Sequence, residues 1–531
     1  MHGAHLTTVV FFIFFILQAI AGVTKACAEE PAPSPQSFGA GPSLAPPSAA
    51  TNPPSSDPVV ALIRKKIADP DLRKGTNADD LVALGAFYRT RLGAPLWMTD
   101  MGFSARGQQA LFEIEKAGDW GLDASAFELP SAGELPASGE AEAIAEVKLD
   151  LAILKYTRFA RGGRLNPSEV SSLFDQMPPL RDPNAILSEI AEAEAPDAYL
   201  RSLHPKHEQF VRLHEALLRA RTPNDLGNPS PNALQIKRII INMERWRWMP
   251  EDLGSFYVWS NTPEFMLYAV KDGKVVYTDK TQVGTISNPT PVFSGGMSSI
   301  VFNPDWIAPP TVLMADLLPR LRKQNFAMLQ KHKLLVSYHG EPVNAAKIDW
   351  KRVNIGDYTF TQKAGPDNRL GKVKFLFPNK HDVYMHDTTP DRRKVFQTPM
   401  RAIGYGCVRM EQPEHLAGSI LAEANGWPAS RVKDLWDNSV NSAIALDHKI
   451  PVHLTYFTTV VDATGKVATF ADLYGLDNRL AAALFGDAKG FPMPPAEAKR
   501  SRGQEANALA PTKQTASSNE LAGSLQGFFG D

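Results

Sequence analysis

Near residue 250 the apolar residues of this chain change their spacing, from the period of a helix to that of a strand. Up to the connector TPNDLGNPSP at 222–231, apolar positions recur three and four apart and are cut by breakers. Leu81, Leu84, Phe87, Tyr88 and Leu92 are expected on one helix face, and Leu111, Ile114 and Ala117 on another that Gly121 ends. Leu151, Leu154 and Phe159 repeat the theme before Gly162-Gly163. Asn232 then caps a helix with Ile236, Ile239, Met243 and Trp246 facing inward. Past Pro250, strands are expected at 257–259, 265–270 and 275–278, with Asp272-Gly273 turning the last two into a hairpin. More follow at 373–377, 383–386, 452–461 and 467–470. This order predicts an α+β chain with a helical scaffold domain at 59–221, a connector at 222–231 and a β-rich domain at 232–487. Within the latter, the aromatic and Pro-rich run FNPDWIAPP leads into a helical pattern; it suits a lid, taken as an insertion over 302–350.

The two ends read differently. Residues 6–23 are mostly apolar, and Ala26-Cys27-Ala28 has the small-x-small pattern of a signal-peptidase site, so 1–28 is expected to be a signal peptide. No Lys or Arg precedes the apolar stretch, which keeps open an uncleaved membrane anchor. Either reading exports the body. Residues 29–58 are dominated by Pro, Ala and Ser, and 488–531 resemble them; both lack the apolar surface to offset ordering entropy and are expected to be disordered.

Composition excludes one class of partner. With a net charge of −1 and no block of Lys or Arg, the chain has no footprint for nucleic acid. Of its two cysteines, Cys27 would leave with the signal peptide, so Cys407 would be the one thiol of an exported body. Exported cysteines normally pair. A lone one is either buried and inert or kept for its reactivity.

The surroundings of Cys407 favour reactivity. In KHDVYMHDTTPDRRKVFQTPMRAIGYGCVRMEQPE (380–414), His386 ends an apolar strand, and Gly404-Tyr405-Gly406 precede the thiol. Glycine there lets the main chain approach a substrate and aim successive N–H groups at one point, as an oxyanion hole requires. A free thiol is mostly protonated at neutral pH, and a nearby imidazole supplies the missing base. Cys407 alone reads as buried and inert, and His386 alone as structural; together with the glycine turn they read as a nucleophile and its base, acting on amide bonds.

QKAGPDNRLGKVKFLFPN (362–379), then YMHDTTP, then GYGCVRM resemble the YkuD-type L,D-transpeptidases, in the larger periplasmic branch with a helical scaffold domain. FYRTRLGAPLW (87–97) and GGRLNPSEV (162–170) resemble the scaffold, MERWRWMPEDLG (243–254) the entry to the catalytic domain, FNPDWIAPPTV (302–312) the capping insertion, and IPVHLTYFTTVVDATGKV (450–467) the closing strands. The resemblance implies a β-sandwich-like catalytic domain and an acyl transfer on peptidoglycan in cell-wall synthesis. Cys407 would attack the third residue of a tetrapeptide stem, expel D-alanine and form a thioester, which the amine of a second stem resolves into a 3→3 cross-link. His386 would be the base, the N–H groups of Gly406 and Cys407 the oxyanion hole, and Arg409 a substrate-carboxylate ligand or a brace of the loop. No metal or organic cofactor is implied. Two departures stand out: Gly404 and Tyr405 replace a commoner Ser/Thr-His, and a ten-residue connector stands where larger members often carry a wall-binding module.

Rival readings differ in class. A zinc hydrolase lacks any His-Glu-x-x-His pattern, and the close pairs His204/His207 and His381/His386 have no matching third ligand. A carboxypeptidase or endopeptidase shares the thioester and resolves it with water. Attachment of an outer-membrane protein to the wall uses the same thioester with another acceptor. A non-catalytic wall-binding scaffold would follow if Tyr405 marked decay of the site. Oligomeric state is not legible.

Overall fold

A computed structural model describes residues 57–131, 136–222 and 233–486 of the chain. The expected signal peptide, nearly all of the linker at 29–58, most of the connector, the cap at Asn232 and the tail at 488–531 lie outside the described residues. No helix among those described is long and apolar enough to cross a membrane.

The N-terminal part is helical because its apolar residues fall on helical faces and its polar ones cap them. Asn77 accepts from the main-chain N–H groups of Asp79 and Asp80 and so starts the helix Ala78–Thr90. Ser104 does the same for Ala105–Glu115, and Ser138 for Gly139–Gly162. Gly121, with φ +72°, stops the turn after Trp120, as its left-handed backbone requires. The long helix Gly139–Gly162 is the axis; its Val147, Ile153, Leu154, Tyr156 and Ala160 are buried among the other helices. Leu92 corrects the sequence reading. It lies past the helix end and is 59% exposed, because the chain leaves helical geometry at Arg91 to enter the hairpin β1 (Met98–Thr99) and β2 (Gly102–Phe103).

Two buried carboxylates fix that hairpin. Glu146 accepts from the N–H groups of Leu96, Trp97 and Met98, and Asp150 accepts from the Trp97 indole at 2.7 Å. Tyr88 bridges both, at 2.6 Å and 2.8 Å.

The helix Ala233–Arg247 buries Ile239, Met243 and Trp246, with Ile236 partly covered, and leads into the β domain. There β3 (Phe256–Asn261), β4 (Met266–Lys271), β5 (Lys274–Gly284) and β6 (Phe293–Phe302) form first. Asp272 and Gly273, both with positive φ, turn β4 into β5. An insertion follows with β7 (Trp306–Ile307), β8 (Leu334–Tyr338), β9 (Glu341–Pro342) and β10 (Tyr358–Gln362). Then come β11 (Val373–Leu376), β12 (Met385–His386), β13 (Ala402–Gly404), β14 (Val408–Met410), β15 (Ser442–Thr455) and the small hairpin β16 (Thr459–Val461) with β17 (Val467–Thr469).

The main sheet runs β13-β5-β14-β12-β11-β6-β15-β3-β4, and β4 also pairs with β5, so the ladder returns on itself. β5 makes this possible by pairing with β4 along its first part and with β14 and β13 at its end. The helix Pro413–Asn425 packs Leu416, Ile420 and Leu421 into the enclosed core, each worth roughly 1.5–3 kcal/mol of apolar burial. Gly426, at φ +65°, ends it.

The insertion departs from the expected 302–350. Phe302 belongs to β6 and the main core, while β10 is central to a four-stranded sheet ordered β7-β10-β8-β9. The insertion therefore runs from Trp306 to Gln362. Its helical segments and sheet share a core of their own, including Trp306, Leu317, Val336, Trp350 and Phe360. The strand at 358–362 escaped the sequence reading because it is short and its outward residues are polar.

Candidate active site

The site is built by two short parallel strands. Met385 pairs with Val408 and His386 with Arg409, and the N–H of Val408 donates to the Tyr384 carbonyl at 3.2 Å. Alternation along a strand then puts Tyr384, His386, Cys407 and Arg409 on one face, and Val383, Met385, Val408 and Met410 on the other. The second set is buried in the main core; the first set lines a cavity of about 150 Å³. Trp306, Pro309, Pro310 and Val312 of the insertion line it too, with Arg369, Leu370, His381 and Gly404. The sequence-predicted nucleophile and base, 21 residues apart, thus share one wall.

Electrostatics favour a neutral resting pair. Cys407 is half-buried, and desolvation pushes its thiol up, opposed by hydrogen bonds from Tyr384 and by the charges of Arg409 and Lys374. Burial drives His386 well below the usual imidazole range, helped by Arg409 and Lys374 and opposed by main-chain hydrogen bonds at Asp387 and Leu370. At neutral pH the ring is uncharged and the sulfur protonated, so the imidazole can accept a proton. Its Nδ1 is buried without a hydrogen-bond partner.

Surrounding residues hold this pair in place. Asp387 accepts from the N–H of Lys372 at 2.9 Å and from Arg393 at 2.6 Å, and Gly371, φ +61°, leaves room for its carboxylate. Asp387 therefore fixes the loop whose Leu370 meets His386. On the other strand, Gly406 has φ +96°, and Thr290 donates to its carbonyl at 2.8 Å. The same hydroxyl accepts from the N–H of Gly284, whose carbonyl takes the Tyr474 hydroxyl at 2.8 Å. A segment of the helical part joins in: Asp175 N–H donates to the Val292 carbonyl and Val292 N–H to the Leu173 carbonyl, two residues from Thr290. Asp175 also holds His381 at 2.8 Å, which places that histidine in a structural pairing at the cavity wall.

Tyr405 points toward the insertion. It packs against that core, and its hydroxyl lies 3.5 Å from Asp316; burial, with the Asp316 carboxylate, raises the phenol to about 12. Arg409 is 8% exposed, with Nη1 buried and unpartnered. Sequence reasoning did not single out Tyr384, Lys374, Arg369 or Thr290. Lys374 pairs across from His386, and its ammonium sits 3.9 Å above the Tyr384 ring. The signal available was period-two alternation through KVKF and VYMH, which puts Lys374 and Tyr384 on faces that only the pairing identifies. Among the described residues no group of three or more His, Cys, Asp or Glu is placed to hold a metal ion.

The L,D-transpeptidase catalytic domain model of the YkuD family matches residues 255–436, and the Scaffold domain model matches residues 82–217. A protein of Haemophilus influenzae, provisionally named as an L,D-transpeptidase, is 31% identical over 245 residues, 46% of this chain and 49% of its own length. The chain thus spans about half the length of that curated relative. Solved L,D-transpeptidases from Mycobacterium smegmatis and Enterococcus faecium share 10% and 12% identity, cover 38% of this chain, and cover 58% and 50% of their own. Their TM-scores are 0.18 and 0.16. The chain carries a scaffold domain followed by an L,D-transpeptidase catalytic domain of the YkuD family.

Proposed function

We propose that the protein cross-links peptidoglycan stems through a thioester on Cys407, in the periplasm to which its expected N-terminal signal would send it. The carrying observation is the shared wall: Cys407 and His386 line one cavity, with the His386 Nδ1 buried and unpartnered. His386 takes the thiol proton as sulfur adds to the carbonyl of the third stem residue. The N–H groups of Gly406 and Cys407 receive the oxyanion, since the positive φ of Gly406 turns the main chain at that point. Collapse breaks the amide bond; the proton passes from His386 to the departing D-alanine amine, leaving the thioester. The side-chain amine of a second stem then attacks, His386 takes its proton, and the thiol is restored as the 3→3 bond forms. Trp306, Pro309 and Pro310, which line the same cavity, keep water from the thioester and favour the amine.

Incubation with disaccharide-tetrapeptides tests this by mass spectrometry. Expected are D-alanine release and a 3→3 dimer, both absent with Cys407→Ala. D-alanine and free tripeptide without dimer would make the protein an L,D-carboxypeptidase instead. A tripeptide joined to an added outer-membrane protein would identify that acceptor.

A further inference from the structure

Two guanidinium groups line the cavity beside the thiol. Arg409 rises from its floor on β14, and Arg369 enters from the loop before β11, its guanidinium 5.2 Å from the Trp306 ring centroid. Each is only 8% exposed. A third cation, Arg392, on the 3₁₀ segment Pro390–Gln397, acts on both. Asp316 is the carboxylate that acts on Arg369. On Arg409 the favourable partners are Cys407 and Tyr384, both neutral at pH 7, and no ion pair holds it among the described residues. Burial, with repulsion from Arg392 and Arg409, depresses Arg369 to about 9, and burial with repulsion from Arg392 depresses Arg409 to about 10.

A buried guanidinium whose Nη1 has no acceptor is costly unless a ligand supplies one. Its planar fork suits a carboxylate, which takes two parallel hydrogen bonds. We propose that Arg369 joins Arg409, the carboxylate ligand or loop brace that the resemblance implies, in one carboxylate subsite beside Cys407, gripping a free carboxylate of the donor stem next to the bond that is cut. The stem assignment rests on the proposed function; the anion subsite itself rests on the two arginines. Two carboxylates lie within reach of the scissile bond: that of the terminal D-alanine and the side-chain carboxylate of the third residue. Arg409 belongs to the nucleophile strand, so Arg369 is the residue to vary.

Two arms test the proposal. In the first, Cys407 is alkylated by iodoacetate and by iodoacetamide, which differ in charge and little in size. The iodoacetate-to-iodoacetamide rate ratio is expected to fall about tenfold in Arg369→Gln, the scale of one charge-assisted hydrogen bond, and to be largely kept in Arg369→Lys. If Arg369→Gln fails to fold, salt gives the same reading on the unaltered protein: 1 M salt should lower the ratio toward that of a free thiol at the same salt concentration. A ratio equal to that of a free thiol and insensitive to salt, or one unchanged in a folded Arg369→Gln, overturns the subsite.

In the second arm, calorimetry on Cys407→Ala compares a tetrapeptide acid with its C-terminal amide and its side-chain amide. About tenfold weaker binding of one amide, lost when Arg369→Gln is added, identifies the carboxylate that is gripped. Equal binding of all three overturns the stem carboxylate. A shifted ratio in the first arm with no peptide bound in the second keeps the anion subsite and rejects the stem as its ligand.

Discussion

Two buried polar clusters of this molecule, one in the scaffold and one in the catalytic cavity, are satisfied in opposite ways. In the scaffold, Glu146, Asp150, Tyr88 and the Trp97 indole are fully enclosed, and each side-chain oxygen or nitrogen has a partner. Burial raises Asp150 well above the carboxylate range, so Asp150 keeps its proton and donates to Tyr88 while Tyr88 donates to Glu146. In the catalytic cavity, the His386 Nδ1 and Arg409 Nη1 are buried with no partner. A closed network positions a hairpin and has nothing left to offer a substrate. An open one costs stability and keeps its donors and acceptors for the reaction.

Removal of the base is the harshest test of that contrast. His386→Ala is expected to slow acylation of Cys407 by several orders of magnitude, toward the upper end of about 10²–10⁴ for a positioned base, with partial recovery as alkali ionises the thiol. Stopped-flow acylation with a carbapenem from pH 6 to 10 reads it. Near-normal rates at pH 7 would remove His386 from the mechanism.

Thr290→Val should act next. It strands the Gly406 carbonyl and the Gly284 N–H, a cost of about 1–3 kcal/mol per buried group. Acylation should drop about tenfold as the turn loosens, alongside a lower melting temperature. A lower melting temperature with an unchanged rate would confine Thr290 to stability.

The scaffold network should respond to pH instead. Asp150 has a raised folded pKa, so its protonation favours the fold at low pH, and that contribution fades as pH climbs above the unfolded value near 3.8. Asp150→Asn offers similar hydrogen bonds without a proton to lose. It should flatten the fall of melting temperature on the alkaline side and leave acylation untouched. A steeper fall than in the parent would contradict the shared proton.

Tyr405→Phe should matter least. Its hydroxyl reaches Asp316 only at 3.5 Å, while its ring packs on the insertion core, so acylation should change less than about threefold, under ~1 kcal/mol. Tyr405→Gly, which removes the ring, should lose far more. A large loss in the Phe variant would bring the hydroxyl into the chemistry.

The legible parts of this molecule were the local ones. Gly-x-Gly-Cys and the Asp272-Gly273 turn are each written in a few adjacent residues. Apolar period and residue type extended that reading to the helical domain, the lid and the base, and the family resemblance gave them a common identity. Hidden from it was whatever depends on pairing across the sheet. That Tyr384 sits beside Cys407, and Lys374 across from His386, follows from the register of β12 with β14 and β11, and no single strand encodes that register. β6 was overlooked because Ser294, Gly295 and Gly296 interrupt its apolar alternation, and the insertion sheet because its strands are short. Arg369 is a loop residue, and only the fold brings it to the cavity that Cys407 lines.

Intact-protein mass spectrometry after incubation with a carbapenem tests the central claim most directly. The account predicts one covalent adduct, mapped by peptide digestion to Cys407, formed by the parent and absent from Cys407→Ala of unchanged melting temperature. A folded parent that acquires no adduct, or one that carries it elsewhere, would contradict the assignment of Cys407 as the nucleophile.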